Sequence, residues 1–182
     1  MAYRLKKTVV LVGMMGAGKT AVGKALARQL GSSFRDSDEE IVRAADRSIA
    51  EIFERDGETF FRTKETQIIS RLLEDEKCIL STGGGAFMSD RNRSLIDDKG
   101  IAVCLRADLD LLWNRVRHKG TRPLLKTTNP RATLTKIYRD RAPVYAKAAL
   151  CVDADPEYTI DEMAHRVVQA LLTRADVLEE IK

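Results

Sequence analysis

The sequence predicts an α/β fold with a five-stranded parallel sheet and helices on both of its faces. Three observations support this prediction: four apolar runs of strand length and a short extended segment near residues 33–36 occur along the chain, longer segments of helical periodicity separate them, and 44% of the 182 residues are hydrophobic. Strands that alternate with helices build parallel sheets enclosed by helical layers. A chain of this size has enough apolar residues for one core, so residues 1–182 are expected to form a single domain.

The predicted elements alternate along the whole chain. Predicted strands are residues 8–12, 33–36, 77–81, 101–105 and 149–153, and predicted helices are residues 19–30, 37–46, 48–55, 58–74, 89–98, 108–118, 131–147 and 159–174. The pattern Ser/Thr-x-x-Glu, typical of a capping box, marks three helix starts, at Ser37, Ser48 and Thr159. The basic segment 117–131 separates two helical patterns and contains two prolines and a glycine. Long loops of this kind in compact domains are usually functional or disordered.

The charge composition favours an anionic partner but does not decide between nucleic acid, nucleotide and metabolite. Lys and Arg together number 31 against 27 Asp and Glu, which gives a net charge of +4, and 19 of the 31 cations are arginines. Arginine is suited to forked recognition of carboxylates and phosphates. No run of five basic residues occurs and aromatic residues are only 5%, which argues against nucleic acid as the partner. No run of eighteen apolar residues occurs either, so no membrane contact is expected.

Cys78, Cys104 and Cys151 each lie in a short apolar run without Cys-x-x-Cys spacing. This pattern favours reduced, buried thiols, and with them a cytoplasmic location. The segment 6–12 begins like a signal peptide, but it runs straight into a glycine-rich motif without a cleavage pattern. Because no heptad repeat or unused amphipathic segment is present, a monomer is expected.

A phosphate-binding loop is predicted at residues 13–20, where Gly-x-x-x-x-Gly-Lys-Thr follows an apolar strand and begins a helix. The glycines let the backbone wrap a polyphosphate, whose oxygens face the amides and the helix N-terminus. Lys19 is expected to reach the terminal phosphates, and Thr20 to offer its hydroxyl to magnesium. The predicted ATP-binding residues of this loop are Gly13, Gly16, Ala17, Gly18, Lys19 and Thr20.

The loop alone does not distinguish a GTPase, an ATPase and a kinase. The guanine motif Asn-Lys-x-Asp is absent. Asp153, which follows four apolar residues, fits the magnesium-binding aspartate of an ATPase, although any buried strand that ends in Asp would fit as well. Asp36 and Asp38 are the stronger candidates, because they follow the second strand and residues two apart on an extended segment project to one side. Two carboxylates there suit magnesium positioning and activation of an acceptor hydroxyl.

Further motifs follow in a specific order. Gly57-Glu58-Thr59-Phe60-Phe61-Arg62 precedes Glu65, then come Gly83-Gly84-Gly85, Arg122-Pro123-Leu124-Leu125 and Arg141-Ala142-Pro143-Val144-Tyr145. Together with the phosphate-binding loop and Asp36-Ser37-Asp38, this order resembles the shikimate kinases, from about Thr8 to the last helix. The resemblance implies a P-loop kinase fold similar to that of nucleoside monophosphate kinases, and transfer of the γ-phosphoryl group of ATP to the 3-hydroxyl of shikimate.

The resemblance also implies a role for each matching residue. Lys19, Asp38 and Arg122 are expected to be catalytic, with Asp38 at the acceptor hydroxyl and Arg122 in a lid, about 117–131, that closes over the phosphates. Arg62 and Arg141 would bind the substrate carboxylate; a helical region, about 37–74, would contribute to the substrate site. The amides of Gly83, Gly84 and Gly85 would line the rest of that site. Thr20 and Asp36 would hold Mg²⁺.

Two questions stay open at the level of sequence. Arg117 is the better match for an arginine that stacks on adenine, but Arg115 is close to it. Two arginines could also bind a monophosphate, so another small-metabolite or nucleotide kinase remains an alternative. A P-loop protein that binds nucleotide to regulate a partner, without transfer chemistry, is the alternative from a different class.

Overall fold

The computed structural model describes residues 1–118 and 122–182. Its main sheet contains five parallel strands, in the spatial order β3-β4-β2-β5-β6. In chain order they are β2 (Thr8–Val12), β3 (Ser33–Asp36), β4 (Cys78–Ser81), β5 (Gly100–Arg106) and β6 (Leu150–Asp153). All five predicted strands are therefore confirmed. The central strand β2 is buried along its whole length, as expected for a parallel strand covered on both faces.

Seven α-helices occur among the described residues. They are α1 (Lys19–Leu30), α2 (Ser37–Ala45), α3 (Ile49–Glu74), α4 (Asp90–Lys99), α5 (Leu109–Val116), α6 (Pro130–Tyr145) and α7 (Ile160–Leu172). Short 3-10 helices occupy Ala86–Met88 and Pro123–Leu125. The sheet and these helices enclose one apolar cluster, whose largest fully buried side chains are Phe87, Leu11, Leu26, Ile41, Ile52, Ile69, Leu72, Ile79, Leu80, Ile96, Leu105 and Leu112. No helix within the described ranges is long and apolar enough to cross a membrane.

The strand order places the phosphate-binding loop at the middle of the sheet. From the central strand β2 the chain goes to the edge strand β3 and then to β4, which lies between β3 and β2. It then crosses to the other side of β2, where β5 and β6 follow. A reversal of this kind opens a crevice at the carboxyl ends of the strands, where ligands of open α/β sheets bind. The register pairs Asp36 with Ser81 at the ends of β3 and β4, so the two segments that follow these strands emerge side by side.

The third helix combines two predicted helices. The patterns at residues 48–55 and 58–74 meet at Gly57, which has φ 85° and ψ 172°, and the chain kinks there. Only glycine adopts this conformation without strain, so the boundary between the two patterns is confirmed as a change of direction rather than as a loop.

The three predicted capping boxes have different outcomes. Thr159 forms the complete reciprocal pair with Glu162. Ser48 caps α3, because its side chain accepts a hydrogen bond from the amide of Glu51. The reciprocal hydrogen bond, from the amide of Ser48 to the side chain of Glu51, is not formed. The prediction at Ser37 is wrong. Asp36 is the N-cap residue of α2, where its backbone is extended and its side chain accepts from the amides of Asp38 and Glu39, and Ser37 lies inside the first turn.

A second, two-stranded sheet was not predicted. Strands β1 (Ala2–Leu5) and β7 (Leu178–Ile181) pair antiparallel and join the two ends of the chain. The pair is reinforced by Glu179, which contacts Arg4 at 2.9 Å and Lys6 at 2.5 Å. Both strands are four residues long and partly exposed, and their sequences lack the apolar run that identified four of the five strands of the main sheet.

Candidate active site

The phosphate-binding loop turns sharply between β2 and α1. Gly13, Gly16 and Gly18 have φ values of 144°, 84° and 95°. A side chain at Gly13 would be strained, and its Cβ would lie only 2.7 Å from the carbonyl oxygen of Leu105. The ammonium group of Lys19 reaches back across the loop and donates to the carbonyl oxygens of Gly13 at 2.6 Å and Met14 at 3.1 Å. The loop therefore has the shape and the cation expected for a polyphosphate cradle.

The electrostatic surroundings of Lys19 link it to the rest of the site. Burial and the positive charge of Arg122 lower the pKa of the Lys19 ammonium from 10.5 to about 8, against the attraction of Asp38. The two largest charge effects on Lys19 therefore come from other segments, the residue before the Pro123–Leu125 helix and the start of α2. Bound phosphate oxygens would favour the protonated lysine, because opposite charges at short range stabilise the charged form.

Asp36 and Asp38 have distinct tasks at the start of α2. Oδ1 of Asp36 accepts hydrogen bonds from the amides of Asp38 at 2.9 Å and Glu39 at 3.3 Å, so this carboxylate caps the helix. Oδ1 of Asp38 is buried and has no hydrogen-bond partner among the described residues. Burial and the negative charge of Asp36 raise the pKa of Asp38, while Lys19 and Arg62 lower it. Asp38 is thus a partly buried carboxylate with one buried oxygen that is ready to accept a hydrogen bond from a ligand.

The three glycines after β4 each face a different ionisable side chain. A Cβ atom on Gly83 would lie 2.9 Å from Oδ1 of Asp38, and one on Gly84 would lie 3.0 Å from Nη1 of Arg141. A Cβ atom on Gly85 would lie 2.7 Å from Nη1 of Arg62. A side chain at any of the three positions would displace the carboxylate or guanidinium end that lies against it, and the loop forms a backbone wall between a carboxylate and two guanidinium groups.

Arg62 is held in place by a buried acid on its own helix. Its Nη1 donates to Oε1 of Glu65 at 2.9 Å, and its Nε lies 3.6 Å from the exposed carboxylate of Glu58. Burial raises the pKa of Glu65, although the charge and hydrogen bond of Arg62 lower it. The spacing of three residues in sequence correctly predicts this contact.

Arg141 approaches the glycine loop from α6, together with Tyr145 one turn later. The Tyr145 hydroxyl donates a hydrogen bond to the carbonyl oxygen of Gly84. Sequence reasoning identified the motif that contains Tyr145 but gave this residue no function. The available signal was its position four residues after Arg141, which places both side chains on one face of the helix.

A cavity of about 300 Å³ lies behind the phosphate-binding loop. Its lining includes Gly16, Gly18, Arg115 and Tyr158. Nη1 of Arg115 donates to the carbonyl oxygen of Gly16 at 3.0 Å. Arg117 is exposed and its Nε donates to Nε2 of His118 at 3.0 Å. Of the two arginines considered from sequence, the structure therefore places Arg115 against the loop.

Asp153, the alternative magnesium aspartate, lies on the edge strand β6. It forms a bidentate pair with Arg106, at 2.5 and 3.2 Å, and both side chains are largely exposed. The hydrogen bond from Arg106 lowers the pKa of Asp153. Within the described part of the chain, Asp36 and Asp38, rather than Asp153, accompany the phosphate-binding loop.

The predicted lid is only partly described. Residues 119–121 of the segment 117–131 lie outside the described ranges. The segment then contains the Pro123–Leu125 helix, in which Leu125 is buried and Leu124 is 53% exposed. Arg122 stands directly before this helix and influences Lys19 electrostatically, as stated above.

Comparison with known proteins gives a consistent result. Residues 15–172 match the family model for shikimate kinase. The shikimate kinase of Ruegeria pomeroyi is 61% identical over 178 residues, which are 98% of this chain and 91% of that protein. The shikimate kinase of Cereibacter sphaeroides is 64% identical over 176 residues, which are 97% of this chain and 88% of that protein.

A solved structure extends the similarity to three dimensions. The shikimate kinase from Acinetobacter baumannii in complex with shikimate has a TM-score of 0.87 and 36% identity, and the alignment covers 93% of this chain and 94% of that chain. The sequence resemblance and the P-loop kinase fold predicted from it are thereby confirmed.

Proposed function

Because this chain belongs to the shikimate kinase family, it is a phosphotransferase that uses ATP to phosphorylate shikimate, and we propose that the phosphoryl group goes to the 3-hydroxyl. One observation carries the proposed acceptor site: the three strand-end glycines are faced by one buried carboxylate and two guanidinium groups. A hydroxyl acid needs this combination, since the carboxylate accepts from the hydroxyl and the guanidinium groups donate to the acid.

We assign the acceptor contacts residue by residue. Arg62 and Arg141 bind the carboxylate of the acceptor, and Asp38 binds the hydroxyl that is phosphorylated. The backbone of Gly83–Gly85 forms the wall against which the ring lies. Asp38 also orients the hydroxyl and accepts its proton as the new bond forms, because a buried carboxylate with a raised pKa is a competent base.

Lys19 and Arg122 are assigned to the phosphates. Phosphoryl transfer depends mainly on positioning and on neutralising the charge that spreads over the transferred oxygens. Lys19 lies at the end of the loop that follows β2, and Arg122 is close enough for its charge to lower the pKa of Lys19. Closure of the lid, about 117–131, would bring Arg122 over the phosphates and exclude water that competes with the acceptor.

The remaining contacts to ATP come from the phosphate-binding loop and the cavity behind it. The amides of residues 13–20 surround the phosphates. We place the adenine in the 300 Å³ cavity and assign Arg115, rather than Arg117, to its ring, because Arg115 lines that cavity.

The residues near the loop fit a magnesium ion that enters with ATP. Thr20 supplies a hydroxyl at the start of α1, and Asp36 has one carboxylate oxygen committed to the helix cap, so its second oxygen is left for a ligand. Hard oxygen donors in small number suit Mg²⁺, which keeps several waters and the substrate phosphates as its other ligands. When bound, the ion neutralises charge on the phosphates.

The organisation of the chain is proposed on the same basis. Residues 1–182 form a single domain in which the region 37–74 supplies acceptor contacts through Asp38 and Arg62. A monomer in the cytoplasm stays a prediction from sequence, which size-exclusion chromatography with light scattering and fractionation of cells would test.

The proposal is tested by ADP release in a coupled assay with shikimate, gluconate, AMP and CMP as separate acceptors. Shikimate alone should stimulate ADP release, and proton-phosphorus coupling in the product should place the phosphate on the 3-oxygen. Stimulation by AMP or CMP would favour the nucleotide kinase alternative. ADP release without dependence on any acceptor would contradict the acceptor site.

A further inference from the structure

The hydrogen bond from Tyr145 to Gly84 differs from the other contacts of the glycine loop. The carbonyl oxygen of Gly83 accepts from the amide of Ala86 at 3.1 Å, and that of Gly85 accepts from the amide of Met88 at 3.2 Å. Both belong to the first turns of the short helix that follows. The carbonyl oxygen of Gly84 instead accepts from the Tyr145 hydroxyl, a side chain 61 positions later in the sequence.

The peptide that Tyr145 holds is flanked by glycine on both sides. Glycine residues rotate about φ and ψ with little steric hindrance, so a peptide between two glycines is free to change its orientation unless a hydrogen bond fixes it. Because the peptide is planar, fixing the Gly84 carbonyl also fixes the N–H of Gly85 in the opposite direction. A single hydroxyl therefore sets the orientation of one amide donor in the wall of the acceptor pocket.

The neighbouring part of the loop is anchored independently. The Asn92 side-chain amide donates to the carbonyl oxygen of Ala86 at 2.8 Å, and its oxygen accepts from the Thr66 hydroxyl at 2.8 Å. On the other side, the Thr82 hydroxyl donates to the carbonyl oxygen of Leu11 at 2.9 Å. These contacts fix the two ends of the loop, and Tyr145 fixes its centre.

Tyr145 also lies close to Arg141. The two residues lie four positions apart on α6, and a Cβ atom on Gly84 would lie 3.0 Å from Nη1 of Arg141 and 3.7 Å from the Tyr145 hydroxyl. Gly84 is thus enclosed by the guanidinium group and the phenol. Tyr145 is only 3% exposed, so its ring has little freedom to move away.

We propose that Tyr145 is a positioning residue for the carboxylate end of the acceptor pocket, acting through the Gly84 peptide and the guanidinium group of Arg141. This inference rests on the proposed acceptor site. It assigns Tyr145 no contact with the reacting atoms. The residue instead fixes the positions of the Gly84 peptide and of the Arg141 guanidinium group that binds the carboxylate of the acceptor.

The first test is Tyr145→Phe, which removes the hydroxyl and keeps the ring. The KM for shikimate should rise about fivefold, the effect of one lost hydrogen bond, while kcat and the KM for ATP stay within about twofold. Tyr138→Phe is the matched control, because Tyr138 lies on the same helix and its hydroxyl donates no hydrogen bond among the described residues. The control should leave all three constants within about twofold.

The second test is a double-mutant cycle with Arg141→Lys. If Tyr145 acts through Arg141, the two changes together should raise the KM for shikimate by less than the product of the single effects. A KM for shikimate within twofold of the parent in Tyr145→Phe, an equal rise in the KM for ATP, or strictly multiplicative effects would each overturn the inference. If the parent protein shows no shikimate-dependent ADP release, the proposed function itself fails, and the two failures are distinct.

Discussion

Nη1 of Arg62 lies 2.9 Å from Oε1 of Glu65, whose side chain is only 1% exposed. The second oxygen of Glu65 is buried without a hydrogen-bond partner among the described residues. A buried carboxylate that is only partly paired costs free energy of folding. The arrangement therefore orients an arginine toward the acceptor pocket at a cost in stability. The effect on substrate binding and the effect on stability can each be measured.

Glu65→Gln should weaken substrate binding without impairing nucleotide binding. A neutral amide holds the guanidinium group less firmly than a carboxylate does, so the KM for shikimate should rise about threefold to tenfold. The KM for ATP should stay within about twofold, because Arg62 does not contact the phosphate-binding loop. Glu58→Gln is the matched control: Glu58 lies 3.6 Å from the same guanidinium group but is 70% exposed, and its loss should have little effect. Equal effects of the two variants would contradict the assignment.

The same pair predicts a dependence of stability on pH. Burial raises the pKa of Glu65 in the folded protein above its ordinary value of 4.5. At pH values between 4.5 and this raised pKa, the folded protein therefore binds more protons than the unfolded chain. The contribution of Glu65 to the free energy of unfolding therefore falls as pH rises through this interval. Glutamine mimics the protonated acid. At pH 7.5 the melting temperature of Glu65→Gln should therefore equal or exceed that of the parent.

Calorimetry between pH 4.5 and 7.5 checks this expectation, since the difference in melting temperature should shrink toward the acid end. Glu58→Gln should follow the parent throughout the range. A Glu65→Gln protein that melts several degrees below the parent at pH 7.5 would show that the ion pair outweighs the penalty of burial.

Asp38→Asn should slow transfer while nucleotide binding persists. The amide cannot accept the proton of the hydroxyl, and loss of a general base lowers kcat by about a hundredfold or more. Asp153→Asn is the control, since that aspartate is exposed and paired with Arg106. Steady-state kinetics and calorimetric binding of ADP distinguish the variants. A comparable loss of kcat in Asp153→Asn would favour the ATPase-like assignment that the sequence left open.

Elements with local signals could be predicted from sequence. The strand Thr8–Val12 lies at the predicted residues, because a short apolar run bounded by polar turns identifies a buried parallel strand. The helix Lys19–Leu30 was predicted as well, since a glycine-rich loop precedes it and Gly31 caps its C-terminus. These signals lie within the element itself or next to it.

Contacts between distant segments could not be predicted in this way. Nothing near Gly84 in the sequence indicates that Tyr145 holds its carbonyl, and nothing in Ala2–Leu5 identifies its partner strand at the other end of the chain. The helix cap at Asp36 also differs from the predicted one, because two adjacent residues offered acceptors and the backbone turn decided between them. Tertiary packing determines these contacts. A sequence motif can identify the residues that take part, but it does not predict which partners they contact.

Arg115 and Arg117 provide the last prediction, because two residues apart on a helix their side chains point in nearly opposite directions. Arg115→Ala removes the hydrogen bond to the carbonyl oxygen of Gly16 and one wall of the cavity behind the loop. The Kd for ADP should rise about tenfold, while the KM for shikimate changes less than about twofold. Arg117→Ala is the matched control and should bind ADP like the parent, since Arg117 is exposed. Calorimetric titration measures both variants, and a larger loss in Arg117→Ala would return the adenine contact to Arg117.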